Sequence, residues 1–73
     1  MISSVKMVVV RYALVVTSYG EFKVFEDGRV WKLDEYANGD YGYRTYDDYE
    51  TNYYEVQDAG MEAHARLAAL EGK

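Results

Sequence analysis

Between Val5 and Ser18 the even positions from Val8 to Val16 are all apolar, and the odd positions from Val5 to Val15 are broken only by Arg11. Valine and aromatic residues favour the extended chain, so this stretch predicts one long β-strand. A strand apolar on both faces is normally central in its sheet and covered on both sides. One short domain rarely covers both faces, so the spare Val-rich face, Val9 included, is expected to serve as a subunit or partner interface.

Tyr19-Gly20 then predicts a turn, and two alternating runs, Glu21 to Glu26 and Arg29 to Leu33, flank Asp27-Gly28. Asp-Gly between alternating runs is a strong hairpin signal. A two-residue loop would set Glu26 against Arg29, Val24 against Trp31 and Phe22 against Leu33. That register assigns Phe22, Val24, Trp31 and Leu33 to the core face, and Lys23, Phe25, Val30 and Lys32 to the other. Asn38-Gly39-Asp40 marks a further turn, with Tyr41 to Arg44 as a short additional strand.

Beyond this point the period changes. Tyr46, Tyr49, Tyr53, Val56, Gly60, Ala63, Leu67 and Leu70 follow a 3-4-3-4 spacing, the mark of one helix face. Thr45 stands where an N-cap belongs, Asp47 and Asp48 suit the positive end of the helix dipole, and Gly72 fits the C-terminal stop. Thr51, Asn52 and the paired tyrosines are weak helix formers, and Gly60 costs about 1 kcal/mol against Ala, so a break near Gly60 is allowed for. The alternative is a strand near Thr51 to Gln57 followed by a short helix capped by Asp58. The expected fold is a single α+β domain over residues 1–73. It has a three- or four-stranded antiparallel sheet, from the long N-terminal strand plus the hairpin, with a C-terminal helix packed on one face.

Charge sharpens this picture. The chain has net charge −5, yet Asp34 to Asp58 alone holds eight carboxylates and seven tyrosines with Arg44 the one positive residue. An acidic surface repels nucleic acid and attracts basic proteins, and tyrosine supplies rigid contact area with a polar tip. Direct nucleic-acid binding, which needs clustered Lys and Arg, is therefore not expected. The apolar and aromatic content argues against disorder. There is no cysteine, which removes disulfides and thiolate chemistry and suits a reducing compartment. No apolar run approaches the about 20 residues of a membrane span. A soluble cytoplasmic protein is expected.

Catalytic readings lack parts. His64 is the only histidine and lies among alanines on the expected helix, as a surface or edge residue. Ser3, Ser4 and Ser18 have no nucleophile-elbow context, and Gly39 and Gly42 are explained by turn geometry rather than by phosphate binding. Asp34-Glu35 and Asp47-Asp48 lack the calcium-loop pattern and read as a solvated acidic face. Neither cofactor nor metal is expected. Tyr46, Tyr49 and Tyr53 lie on the inferred inner stripe, leaving Tyr36, Tyr41, Tyr43 and Tyr54 as candidates for exposed contacts. As a helix, Tyr46 to Asp58 would carry about one negative charge per 4 Å, comparable with the about 3.4 Å spacing on one DNA strand.

In size, acidity and strand–hairpin–helix layout, with Tyr41 to Glu55 and the hairpin Phe22 to Leu33 as the residues concerned, the chain resembles small phage-encoded inhibitors of bacterial defence. These include anti-CRISPR and DNA-mimic anti-restriction proteins. The resemblance is one of type and implies a non-enzymatic inhibitor that occupies the nucleic-acid site, or another surface, of a host defence complex. The segment Phe22-Lys23-Val24-Phe25-Glu26-Asp27-Gly28-Arg29-Val30 is also similar to the hairpin opening small modules found with HNH homing endonucleases. His64-Ala65-Arg66-Leu67-Ala68 is faintly similar to a His-Arg-Leu-Val-Ala segment of those proteins, whose basic surface this chain lacks.

The expected partner is thus a basic nucleic-acid-binding protein or complex. Asp40, Asp47, Asp48, Glu50 and Glu55 are its expected electrostatic contacts, and Tyr41, Tyr43 and Tyr54 its anchors. A homodimer formed through the Val-rich first strand is the alternative.

Overall fold

The computed structural model describes residues 2–8 and 11–72 of the 73. Five strands, β1 (Ile2–Val8), β2 (Tyr12–Thr17), β3 (Gly20–Phe25), β4 (Val30–Glu35) and β5 (Tyr41–Tyr46), precede one helix, α1 (Tyr53–Glu71). The strands form one antiparallel sheet in the order β1-β2-β3-β4-β5, so every strand pairs with its neighbour along the chain. The α+β class and the C-terminal helix agree with the sequence pattern; the strand count, read as three or four, is five.

The extra strand comes from the Val-rich segment. Instead of one long strand it folds back on itself, setting Val5 against Val15, Lys6 against Leu14 and Met7 against Ala13. Arg11, the one charge in the run, takes the left-handed conformation (φ 69°) where the chain reverses. Folding back gives each half a hydrogen-bonded partner, which a strand of twice the usual length would have had to find elsewhere. Val9 and Val10, read from the sequence as strand, lie outside the described residues.

The β3–β4 hairpin also departs from expectation. The Phe25 N–H donates to the Arg29 carbonyl (2.9 Å) and the Gly28 N–H to the Phe25 carbonyl (3.0 Å), leaving Glu26, Asp27 and Gly28 as a three-residue loop. Gly28 takes φ 92°, the conformation that such a bulged loop requires, and Asp27 Oδ1 accepts from the Arg29 N–H at 3.0 Å. One added loop residue moves the register by one and turns every β4 side chain over. Val24 therefore faces Val30, Lys23 faces Trp31 and Phe22 faces Lys32. Trp31 and Leu33, expected in the core, share the opposite face with Lys23 and Phe25, and Val30 takes a core place.

The core lies between α1 and the face of the sheet carrying Ala13, Val15, Phe22, Val24 and Val30, with Val56 entering from the helix and Tyr46 from β5. Gly60 is buried, and the helix continues through it without a break. A Cβ there would lie 2.4–2.7 Å from three side-chain atoms of Val24, so glycine is what lets the helix sit down on β3. Three polar anchors recur every seven residues along the helix. Gln57 Nε2 donates to the Gly28 carbonyl (2.8 Å), and Arg11 donates twice to the Glu71 carboxylate (2.9 and 2.8 Å). Between them His64 Nε2 lies 2.8 Å from the Val24 carbonyl; since a carbonyl only accepts, that nitrogen carries the proton.

The helix starts later than its tyrosine spacing predicts. Tyr46 pairs with Val30 as the last residue of β5, residues 47–52 turn, and Asn52 enters the helix from a left-handed conformation (φ 57°). Strand pairing prevails over periodicity here because Thr51 and Asn52 contribute little helix propensity. Tyr53, Val56, Gly60, Ala63 and Leu67 keep the predicted stripe, whereas Tyr49 is 82% exposed and Leu70 71% exposed. Gly72 ends the helix, its N–H donating to the Ala68 carbonyl at 2.9 Å.

Candidate functional site

The acidic, tyrosine-rich residues are distributed by β5 and the turn that follows it. Asp40 and Tyr41 stand at the start of β5, and Asp47 and Asp48 just past its end, about 20 Å away at roughly 3.4 Å per strand residue. The single ridge expected from a continuous helix is therefore split in two. Asp47, Asp48, Glu50, Tyr54 and Glu55 gather at the corner where β5 passes into α1. Asp40 and Tyr41 belong to the far end, and Tyr43 to the face of the sheet away from the helix.

Arg44 organises the corner. Its Nε donates to Asp34 Oδ2 at 2.8 Å, while its two terminal nitrogens reach the two Glu50 oxygens at 3.1 and 3.2 Å. Glu50 Oε2 also accepts from the Asp47 N–H at 2.8 Å, so this carboxylate shapes the turn as well as pairing with the arginine. Hydrogen bonds from Arg44, and then from the Asp47 amide, hold the Glu50 carboxyl below its ordinary range, and Arg44 does the same to Asp34. Arg44 itself is pushed up by the same two partners. The one cation of the acidic stretch is thus engaged internally, and Asp47 and Asp48 stay exposed without it.

An aromatic ladder links core to corner. Phe22 meets Tyr46 edge to face (4.9 Å), Tyr46 stacks on Tyr53 (6.4 Å), and Tyr53 meets Tyr54 edge to face (5.1 Å). The Tyr46 hydroxyl donates to the Thr51 carbonyl, fastening the turn. Tyr54 is 61% exposed, and with Tyr49 it stands at the surface among Asp47, Asp48 and Glu55. The Asp47 charge and a hydrogen bond to it raise the Tyr49 phenol, keeping it neutral. Tyr49 was missed from the sequence because the helical spacing assigned it inward; its place in a turn exposes it instead. A groove of about 390 Å³ runs beside the corner, with Arg29, Trp31, Asp47, Asp48 and Tyr53 in its walls.

The second feature is the sheet face that the helix leaves uncovered. Tyr12, Leu14, Val16, Phe25, Trp31, Leu33 and Tyr43 all point there and all remain partly exposed. Lys23 lies in their midst, its Nζ 4.7 Å from the Tyr12 ring centre and 4.0 Å from that of Tyr43. Partial burial, then the Glu21 charge, raise the Tyr43 phenol. The sequence pattern carried this face in the doubly apolar β2 segment, but the assumed hairpin register hid the contribution of Trp31 and Leu33.

Among the described residues no three His, Asp or Glu side chains are grouped to hold a metal ion, and no helix is long and apolar enough to cross a membrane. Comparison with protein families, with curated proteins and with solved structures finds no match to this chain.

Proposed function

We propose that the protein is a non-enzymatic inhibitor that docks its acidic β5–α1 corner on a basic, nucleic-acid-handling protein complex of a host defence system. The observation that carries this reading is the corner itself: Tyr49 and Tyr54, 82% and 61% exposed, stand among Asp47, Asp48 and Glu55. Arg44, the one cation of the acidic stretch, is committed to Asp34 and Glu50, and Arg29, which shares the groove wall with Asp47 and Asp48, is paired with Asp27. Carboxylates flanking rigid aromatic rings offer a basic groove both charge complementarity and desolvated contact area. Asp47, Asp48, Glu55 and Tyr54 are the primary contacts, with Glu50 fixing the turn that presents them. Asp40, Tyr41 and Tyr43, about a strand's length away, meet a partner only if its surface extends along β5.

The test is affinity capture from a bacterial lysate, followed by binding to the captured complex at low salt and at about 0.3 M, where screening shortens to a few ångströms. The expected result is a bound, nucleic-acid-handling complex whose affinity falls steeply with salt and with the double change Asp47→Lys and Asp48→Lys, and from which nucleic acid is displaced. Salt-insensitive binding unaffected by that double change overturns the reading.

A further inference from the structure

We propose that the uncovered sheet face is the contact between two copies of this chain, packed sheet on sheet about a two-fold axis that crosses the central strand β3 at Phe22. None of the described residues covers this face; α1, the single helix, lies on the other. The face also differs electrically from the rest of the molecule. Two lysines, Lys6 and Lys23, stand on it against two glutamates, Glu21 and Glu35, so it is neutral within a chain of net charge −5. Two such faces can approach without the repulsion that would separate the acidic corners.

The charges at its centre are placed for self-recognition. β3 is the middle strand of five, and Glu21 and Lys23 lie two residues apart on it, with opposite sign and on the same face. A two-fold axis across the strand between them sets Glu21 of each copy over Lys23 of the other, giving two identical ion pairs, as an isologous contact requires. The same operation lays the row through Leu14, Lys23 and Trp31 on the row through Val16, Glu21 and Leu33 of the second copy. Leu14 then meets Val16 and Trp31 meets Leu33, so on β2 and β4 apolar groups face apolar groups on either side of the two ion pairs, while on β1 Lys6 meets Ser4.

The size lies near the lower end for a specific contact. Five strands about 4.8 Å apart and six residues long span roughly 20 Å each way, a flat area of about 400 Å² per copy and about 800 Å² for the pair. Side-chain relief adds to that, towards the about 1,000 Å² expected of a specific interface. The product is an aligned β-sandwich about 10 Å between sheets, with each helix outside.

Sedimentation velocity on the full chain from about 1 to 200 µM tests this, spanning the range of a micromolar association. The expected species is a dimer of twice the 8.4 kDa chain, with the emission of the single tryptophan, Trp31, shifting to shorter wavelength as it forms. Glu21→Lys and Lys23→Glu should each weaken the dimer at least tenfold, and the two together should restore it, because the swap regenerates both ion pairs. Trp31→Glu should abolish it. Should that variant fail to fold by circular dichroism, the Glu21 and Lys23 series still decides the matter. A monomer at 200 µM assigns the face to some other occupant and overturns the proposal; so does a dimer indifferent to all of these changes, which would join through another surface such as the β1 edge.

Discussion

Beneath the helix Phe22, Val15 and Val24 are fully buried, while on the reverse of the same strands Phe25, Val16 and Lys23 remain partly exposed. Along β2 the apolar side chains Tyr12, Leu14 and Val16 alternate with Ala13 and Val15, yet the second set is withdrawn from water and the first is not. Residue type does not decide this; the number of covering elements does. A pleated strand sends successive side chains to opposite faces, and the described residues, with five strands and one helix, cover one of them. Apolar residues in quantity on the second face therefore point to a surface that a partner completes.

The contrast can be broken most severely from its buried side. Phe22→Ala should cost about 3–5 kcal/mol in denaturant unfolding, since it removes both the centre of the core and the first ring of the aromatic ladder. Trp31→Ala, on the open face, should cost the isolated monomer clearly less, and equal costs would mean that the two faces are not distinct. Gly60→Ala is expected next. Overpacking against Val24, typically about 1–3 kcal/mol, should outweigh the about 1 kcal/mol that alanine gains over glycine in a free helix. In a double-mutant cycle by chemical denaturation the costs of Gly60→Ala and Val24→Ala should be less than additive, because Val24→Ala removes the two methyls that would lie 2.6 and 2.7 Å from the new Cβ.

The smallest effect is electrostatic. Asp34 and Glu50 are held below their ordinary values of 3.8 and 4.5 by Arg44. Their contribution to stability is present at neutral pH and is lost as pH falls below about 4.5, because the unfolded chain takes up protons first. Arg44→Met should therefore flatten the acid limb of a melting-temperature profile below that pH and leave its slope between pH 6 and 8 unchanged. A profile parallel to that of the parent would show that the arginine contributes nothing through these two carboxylates.

Much of this layout was legible in the sequence. The Asp27-Gly28 and Asn38-Gly39 turns, the strand at Tyr41, the Val56-Gly60-Ala63-Leu67 stripe and the Gly72 stop all rest on local backbone preferences. What escaped was set by events beyond the local window. Asp-Gly marks a turn but not whether the loop has two residues or three, and that single residue exchanges Trp31 for Val30 in the core. Arg11 was visible as the break in the valine run, yet nothing in its neighbourhood states that the chain reverses there. At Tyr46 and Tyr49 a helical spacing ran on into a strand and its turn by coincidence of tyrosines, and pairing with β4 settled Tyr46 as strand. Of the candidate site, the carboxylates were legible as charge. Their division between the two ends of β5 was not, since it depends on where the strand stops.

The neighbour-to-neighbour order of the strands bears on how quickly the molecule assembles. Each hairpin closes a loop of a few residues, so the sheet can zip up from contacts near in sequence, the condition under which small domains fold fastest. The exception is the seating of α1 on β1 and β2, which joins residues as far apart as Arg11 and Glu71. That closure is the expected late step on the pathway, and the sheet formed before it would hold both of its faces open to water.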